Sequence, residues 1–191
     1  MSYSIVTTKG FIIGSAPYGE AGKILQIFAR DIGLVPAIAQ GIRLEKSKLR
    51  YSAQDCSFGD FSLVKGKEFW RLTDAKCIIS LNDSNDLMAR IALLLKRLLQ
   101  GQEAHLELFD CVLECARFIS NGPNLQSDDL ETLESLVVAR MLFRLGYIGN
   151  DKDLDTHLKA NDISLQELQA LKEKRKLLNT HINKALRESH L

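Results

Sequence analysis

Four cations crowd one short stretch of this chain: Arg43, Lys46, Lys48 and Arg50 fall within eight residues, opposed there by Glu45 alone. Guanidinium and ammonium groups at this density suit phosphate neutralisation, which positions a polyanion without reading its sequence. A charge run is also what a plain solvated face looks like, so the reading turns on the neighbouring residues. Lys9, Lys23 and Arg71 stand on strand-like stretches that could extend the same basic surface. Phe69 and Trp70 offer rings for stacking on bases; neighbours on a strand point to opposite faces, so at least one is core, and Trp70 is the candidate.

Other chemistries lack their spacing. The sequence holds no glycine-rich phosphate loop, no GxSxG, no HExxH and no recognisable His, Ser and acid trio, so an enzyme is not expected. Cys56, Cys77, Cys111 and Cys115 form no CxxC pair, and the histidines at 105, 157, 181 and 190 follow no ligand pattern. Cys111 and Cys115 lie one helical turn apart, but two thiols do not close a tetrahedral site. We expect them buried, reduced and structural, with no bound metal and no cofactor.

The elements that must position the cations follow from periodicity. Tyr3–Ser15, Ile24–Arg30, Leu34–Ile42, Ser57–Val64 and Glu68–Ile79 read as five strands, with a turn at Pro17-Tyr18-Gly19 and a bulge or bend at Gly10. Gly41 breaks the alternation of the third strand and frees the backbone to turn into the basic segment. Five strands with a short helical or irregular insertion between the third and fourth match a small OB-fold barrel. The period then changes. Asp86–Gln100, Glu103–Ser120 and a stretch from Ser127 or Asp128 to Gly146 carry helical apolar stripes, the first capped from Asn82–Asn85 and the second stopped at Asn121-Gly122-Pro123. Gly149–Asp162 is polar and loop-like, and Ser164-Leu165-Gln166-Glu167 is a capping box opening a last helix through Leu186. The fold class is therefore α+β: an OB-fold barrel over residues 1–80, then an all-helical domain over 81–191.

Composition agrees with that division. The chain has 191 residues and is 46% hydrophobic, enough to bury a core in one large domain or two small ones. Residues 1–80 carry 11 Lys and Arg against 7 Asp and Glu, and the remainder 14 against 17, so the basic half is the better partner for a polyanion. The opening residues show no cationic segment followed by an apolar run, and clusters such as Ile91–Leu95 are too short to span a bilayer. A cytoplasmic protein without membrane attachment is expected.

The stretch APYGEAGKILQIFARDIGLVPAIAQGIRLEKSKL resembles the opening domain of the bacterial recombination mediator family RecO. The resemblance rests on a Tyr18-Gly19-Glu20 turn leading to a strand, a hairpin containing Gly33, and a Gly-x-Arg-x-x-Lys-Ser segment formed by Gly41, Arg43, Lys46 and Ser47. Arg140–Tyr147 (RMLFRLGY) looks like that family's helix ending in Leu-Gly-Tyr, and the order of barrel and helices also agrees. The resemblance implies binding of single- and double-stranded DNA, annealing of complementary strands, and action with RecR that helps RecA displace the single-strand-binding protein, at the nucleoid during repair. It makes Arg140 and Arg144 candidates for gripping the acidic, aromatic C-terminal tail of the single-strand-binding protein, with Leu136 and Phe143 as the groove. Gly22, Ala29 and Gln40 depart from the family's usual Asp, Thr and Lys or Arg, and the four-cysteine zinc module that many members insert after the Leu-Gly-Tyr helix is replaced by a cysteine-free polar stretch. The alternatives are an RNA-binding OB-fold protein, or a protein-interaction adaptor without annealing activity.

Overall fold

The structure is a computed structural model describing residues 4–81, 86–122 and 124–188. It opens with five strands, β1 (Ile5–Tyr18), β2 (Gly22–Ala29), β3 (Gly33–Ala39), β4 (Ser57–Lys65) and β5 (Trp70–Ser80), with a four-residue helix α1 (Leu49–Ser52) between β3 and β4. β1 organises them. Its first half pairs antiparallel with β4 from Ile5 to Phe11, and its second half pairs with β2 from Gly10 to Tyr18. The ladder order β1-β2-β3-β5-β4 returns to β1, so the OB-fold barrel closes through a narrow β3–β5 seam of two parallel pairs, Ala37 with Trp70 and Ile38 with Arg71.

Period-2 alternation does the sorting. Along β3, Val35, Ala37 and Ala39 are buried while Leu34, Pro36 and Ile38 are half-buried, as a strand with one face in the core requires. β1 runs past Pro17 to Tyr18, where the sequence places a turn; Pro17 pairs in register with Lys23, and the chain reverses at Gly19, whose φ is +59°. The bend expected at Gly10 falls two residues later, as a register shift between Ile12 and Gly14. Gly10 has a different reason to be glycine. A Cβ there would lie 2.7 Å from Phe61 Cδ2 and 2.8 Å from Ile27 Cγ2, both in the barrel core.

The contacts divide the chain into two compact units, one ending at Leu106 and the other starting at Glu107. Helix α2 (Asp86–Leu98), which periodicity groups with the helical half, packs on β1, with Lys96 lying against Gly14. The segment after it folds back on β3: Leu34 N–H donates to Gly101 O at 3.2 Å, and Gly33, at φ +90°, abuts the Glu103 backbone. The strands end at Ser80 and helix begins at Asp86, while the cap assigned to Asn82–Asn85 and the stop at Pro123 lie outside the described residues.

The second unit contains α3 (Leu106–Ser120), α4 (Ser127–Arg144), α5 (Asp155–Lys159), α6 (Leu165–Lys172) and α7 (Arg175–Glu188). α4 is its centre, packed by α5, α6 and α7 over a buried stripe that includes Leu133, Leu136, Val137 and Met141. Gln126, rather than Ser127 or Asp128, is its N-cap, and its backbone N–H donates to the Asp129 carboxylate at 3.0 Å. Two further departures appear here. The loop-like stretch contains α5, and the expected last helix is two, broken at Glu173 and Lys174.

Candidate nucleic-acid interface

The basic segment is held by three apolar anchors. Ile42 and Ala53 are buried in the barrel core and Leu49 packs against it from α1, so the side chains between them, Arg43, Lys46, Lys48 and Arg50, are turned to solvent. Backbone bonds fix both ends: Arg43 N–H donates to Ala21 O at 3.0 Å and Cys56 N–H to Ile12 O at 2.9 Å. Gly41, at φ +66°, makes the turn out of β3.

Between this segment and β2 lies an open concavity of about 710 Å³, lined by Lys23, Arg43, Arg50, Gln54, Asp55 and Cys56 over a floor of Ile42 and Ala53. Three cations thus face one carboxylate. Asp55 is occupied, accepting from Ser15 Oγ at 3.1 Å, and Lys23 Nζ donates to the same hydroxyl at 3.4 Å. Arg43 and Arg50 are exposed. Burial, reinforced by Asp55, pushes the Cys56 thiol up, so the one nucleophile-type side chain in the cleft is held neutral.

The structure brings Lys23, Arg43 and Arg50 together; Lys46 and Lys48 are exposed on the same segment outside the lining. Lys9 sits elsewhere, paired with Asp60 at 3.3 Å in a separate depression shared with Arg30 and Asp31. Arg71 is exposed on β5 at the β3 seam and lines neither depression. Trp70 requires a correction. It is only 6% exposed within the barrel core, with Lys65 Nζ 5.9 Å from its ring centroid, so no base can reach it. The most exposed aromatic among the described residues is Tyr51 on α1, at 70% against 44% for Tyr18 at the end of β1, with the Arg50 guanidinium 6.0 Å from its ring centroid. Its signal in the sequence was position, directly after the last cation of the run.

Of the helical residues singled out by the resemblance, Arg140 and Leu136 are also corrected. Arg140 is wholly buried, and its guanidinium is engaged within the chain: Nε donates to His157 O at 2.7 Å, one terminal nitrogen to Asn161 O and Asp162 O at 3.3 and 3.1 Å, and the other to Glu167 Oε1 at 2.8 Å. Desolvation lowers its pKa and the Glu167 carboxylate opposes that effect. Leu136 is buried as well, and Phe143 is half-buried. Arg144 donates to Arg140 O, Leu158 O, Ala160 O and Asn161 Oδ1. The two arginines therefore bind the 157–162 segment onto α4; Arg140 presents no cation to a partner, whereas Arg144 is half-buried. Cys111 and Cys115 are buried beneath this helix set, their thiols pushed up by desolvation. Among the described residues no three His, Cys, Asp or Glu side chains group as a metal set, and no helix is long and apolar enough to cross a membrane.

A five-stranded barrel with these connections defines the OB-fold class, whose members bind oligonucleotides and oligosaccharides. Residues 1–81 match the family described as Recombination protein O N terminal. The chain is similar to the DNA repair protein RecO of Clostridium novyi (strain NT), 30% identical over 150 residues, covering 75% of this chain and 57% of that protein. To the DNA repair protein RecO of Clostridium perfringens (strain 13 / Type A) it is 28% identical over 150 residues, covering 75% and 59%. To that of Acetivibrio thermocellus it is 36% identical over 81 residues, covering 42% and 32%. The first 81 residues thus carry the RecO N-terminal domain, the likeness to RecO proteins extends over 150 residues, and the chain spans less than two thirds of the length of these relatives.

Proposed function

We propose that this protein is a DNA-binding mediator of recombinational repair that grips the phosphate backbone in the cleft of its barrel. The observation that carries this reading is the convergence of Lys23, Arg43 and Arg50 on one open concavity with a single, already hydrogen-bonded carboxylate. Such a surface neutralises phosphates without reading bases, so it takes single and double strands of any sequence. Holding one strand with its backbone charge neutralised lowers the repulsion that opposes pairing with a complement, which is the physical basis for annealing. No bond is made or broken in that process.

On the family's pattern, the protein acts in the cytoplasm at the nucleoid, with RecR and the single-strand-binding protein's C-terminal tail as protein partners, and prepares coated strands for RecA. Arg140 and Leu136, being interior, are not proposed as contacts for that tail. The test is annealing of complementary strands coated with the single-strand-binding protein, without nucleotide or metal. Acceleration that is lost on changing Lys23, Arg43 and Arg50 to Ala supports the reading. Tighter binding of RNA than of single-stranded DNA in direct competition would assign the barrel to RNA, and binding of the coating protein without annealing would make the chain an adaptor.

A further inference from the structure

We infer that Tyr51 is a base-stacking residue that makes the cleft prefer unpaired strands over duplex; this rests on the cationic cleft being the DNA-binding face. Arg50 lines the cleft and is adjacent to Tyr51, so the ring stands at the margin of the phosphate-binding surface. It is held there on a fixed support. α1 is packed on β5, Leu49 and the buried Ala53 seat it against the barrel core, and Ala53 N–H donates to Leu49 O at 2.9 Å. An aromatic carried on an anchored turn has its backbone position fixed before a ligand arrives, which lowers the entropy lost on binding. The Arg50 guanidinium at 6.0 Å lies at the outer range of a cation–π contact, and 70% of Tyr51 remains open to solvent.

An ionic cleft alone does not distinguish one strand from two, because both offer phosphates. A ring beside the cleft does. Base faces are covered by their neighbours inside a duplex, whereas an unpaired base can lie flat on an aromatic side chain, whatever its identity. Trp70 is enclosed in the core, and Tyr51, following the cleft-lining Arg50 and 70% exposed against 44% for Tyr18, is the barrel aromatic best presented for this.

The test compares Tyr51→Ala, Tyr51→Phe and the Lys23, Arg43 and Arg50 triple alanine variant in the full chain, titrated with an oligothymidylate, an abasic strand of equal length and a duplex. Stacking predicts that Tyr51→Ala weakens oligothymidylate binding at least about fivefold, leaves the abasic strand and the duplex unchanged, and keeps the salt slope. Tyr51→Phe retains wild-type affinity, because the ring and not the hydroxyl makes the contact. Equal losses on all three nucleic acids, no loss on any, or a Tyr51→Phe defect as large as that of Tyr51→Ala overturns the assignment. If the triple variant loses binding while Tyr51→Ala does not discriminate, only the stacking role falls. If the triple variant binds normally, the cleft is not the DNA face, and the stacking role falls with it.

Discussion

At the scale of single residues, the same side-chain type has opposite fates in the two units. Arg43 and Arg50 are flanked by buried anchors and left in water, whereas Arg140 is drawn inside and surrounded by carbonyls. The first pair is suited to a polyanion, since each exposed cation that neutralises a phosphate releases a counterion condensed on the nucleic acid. Each phosphate neutralised on a single strand contributes about −0.7 to the slope of log K against log salt. Changing Lys23, Arg43 and Arg50 to Ala should therefore flatten that slope by about 2 units, as measured by fluorescence anisotropy from low to moderate salt. Arg140 is predicted to act on stability. Its truncation leaves the carbonyls of His157, Asn161 and Asp162 without this donor and the Glu167 carboxylate without its arginine, with the His157 Nδ1 contact at 3.2 Å remaining, a loss of about 3–5 kcal/mol by analogy with broken buried ion pairs. Urea unfolding of Arg140→Ala checks this, and a midpoint equal to wild type would show that the network contributes little.

At the scale of elements, alternation located all five strands and the helical stripes located α2, α3 and α4, because burial on one face imprints a period on the sequence. What the sequence hid was where a period continues across a break. Leu168, Leu171, Leu178 and Ile182 stay in helical register through Glu173 and Lys174, so the turn between α6 and α7 has no apolar signature. Trp70 was misread for a related reason: strand alternation says that Trp70 and Arg71 face opposite ways, but not which face is the interior. The barrel's closeness yields a packing prediction. Gly10→Ala would press a methyl group on Phe61 and Ile27, and overpacking of this kind costs about 1–3 kcal/mol; chemical denaturation should show a lower midpoint. The second unit yields a pH prediction. Lys172 donates to both Asp128 and Asp129, and these bonds, with help from Arg175 and the Gln126 N–H respectively, hold both carboxyls below their ordinary 3.8. A depressed carboxylate stabilises the fold above its unfolded pKa and loses that contribution as pH falls through its folded value. Lys172 is raised from 10.5 by the same partners, so its contribution is lost only as pH climbs past that value. Stability should thus decline on the acid side below about pH 4, and Asp128→Asn with Asp129→Asn should shallow that decline. Superimposable acid limbs for the variant and wild type would remove the cluster from the account.

At the scale of the whole molecule, the change of period near residue 80 was legible, and the reach of the first compact unit was not. Periodicity reports that α2 is amphipathic but not which surface its apolar stripe covers, and in the structure that helix packs on β1. The match to the RecO N-terminal family likewise ends at residue 81, ahead of α2. We place the functional boundary of the barrel at Leu106, where the contacts divide the chain. Three contacts support that choice: α2 lies on β1 with Lys96 against Gly14, Gly101 O accepts the Leu34 N–H, and the Glu103 backbone abuts Gly33. Leu34 and Gly33 belong to β3, which has only two residue pairs with β5, so the returning segment supplies a hydrogen bond to the strand that the barrel secures least. A fragment of residues 1–106 is therefore predicted to melt cooperatively and to bind single-stranded DNA with the salt slope of the full chain. A fragment of residues 1–81 should melt at a lower temperature and expose its β3 amides to faster hydrogen exchange, because the N–H of Leu34 loses its acceptor and the buried face of α2 is gone. Equal melting temperatures and equal β3 protection in the two fragments would return the boundary to residue 81 and make α2 an accessory to the barrel rather than part of it.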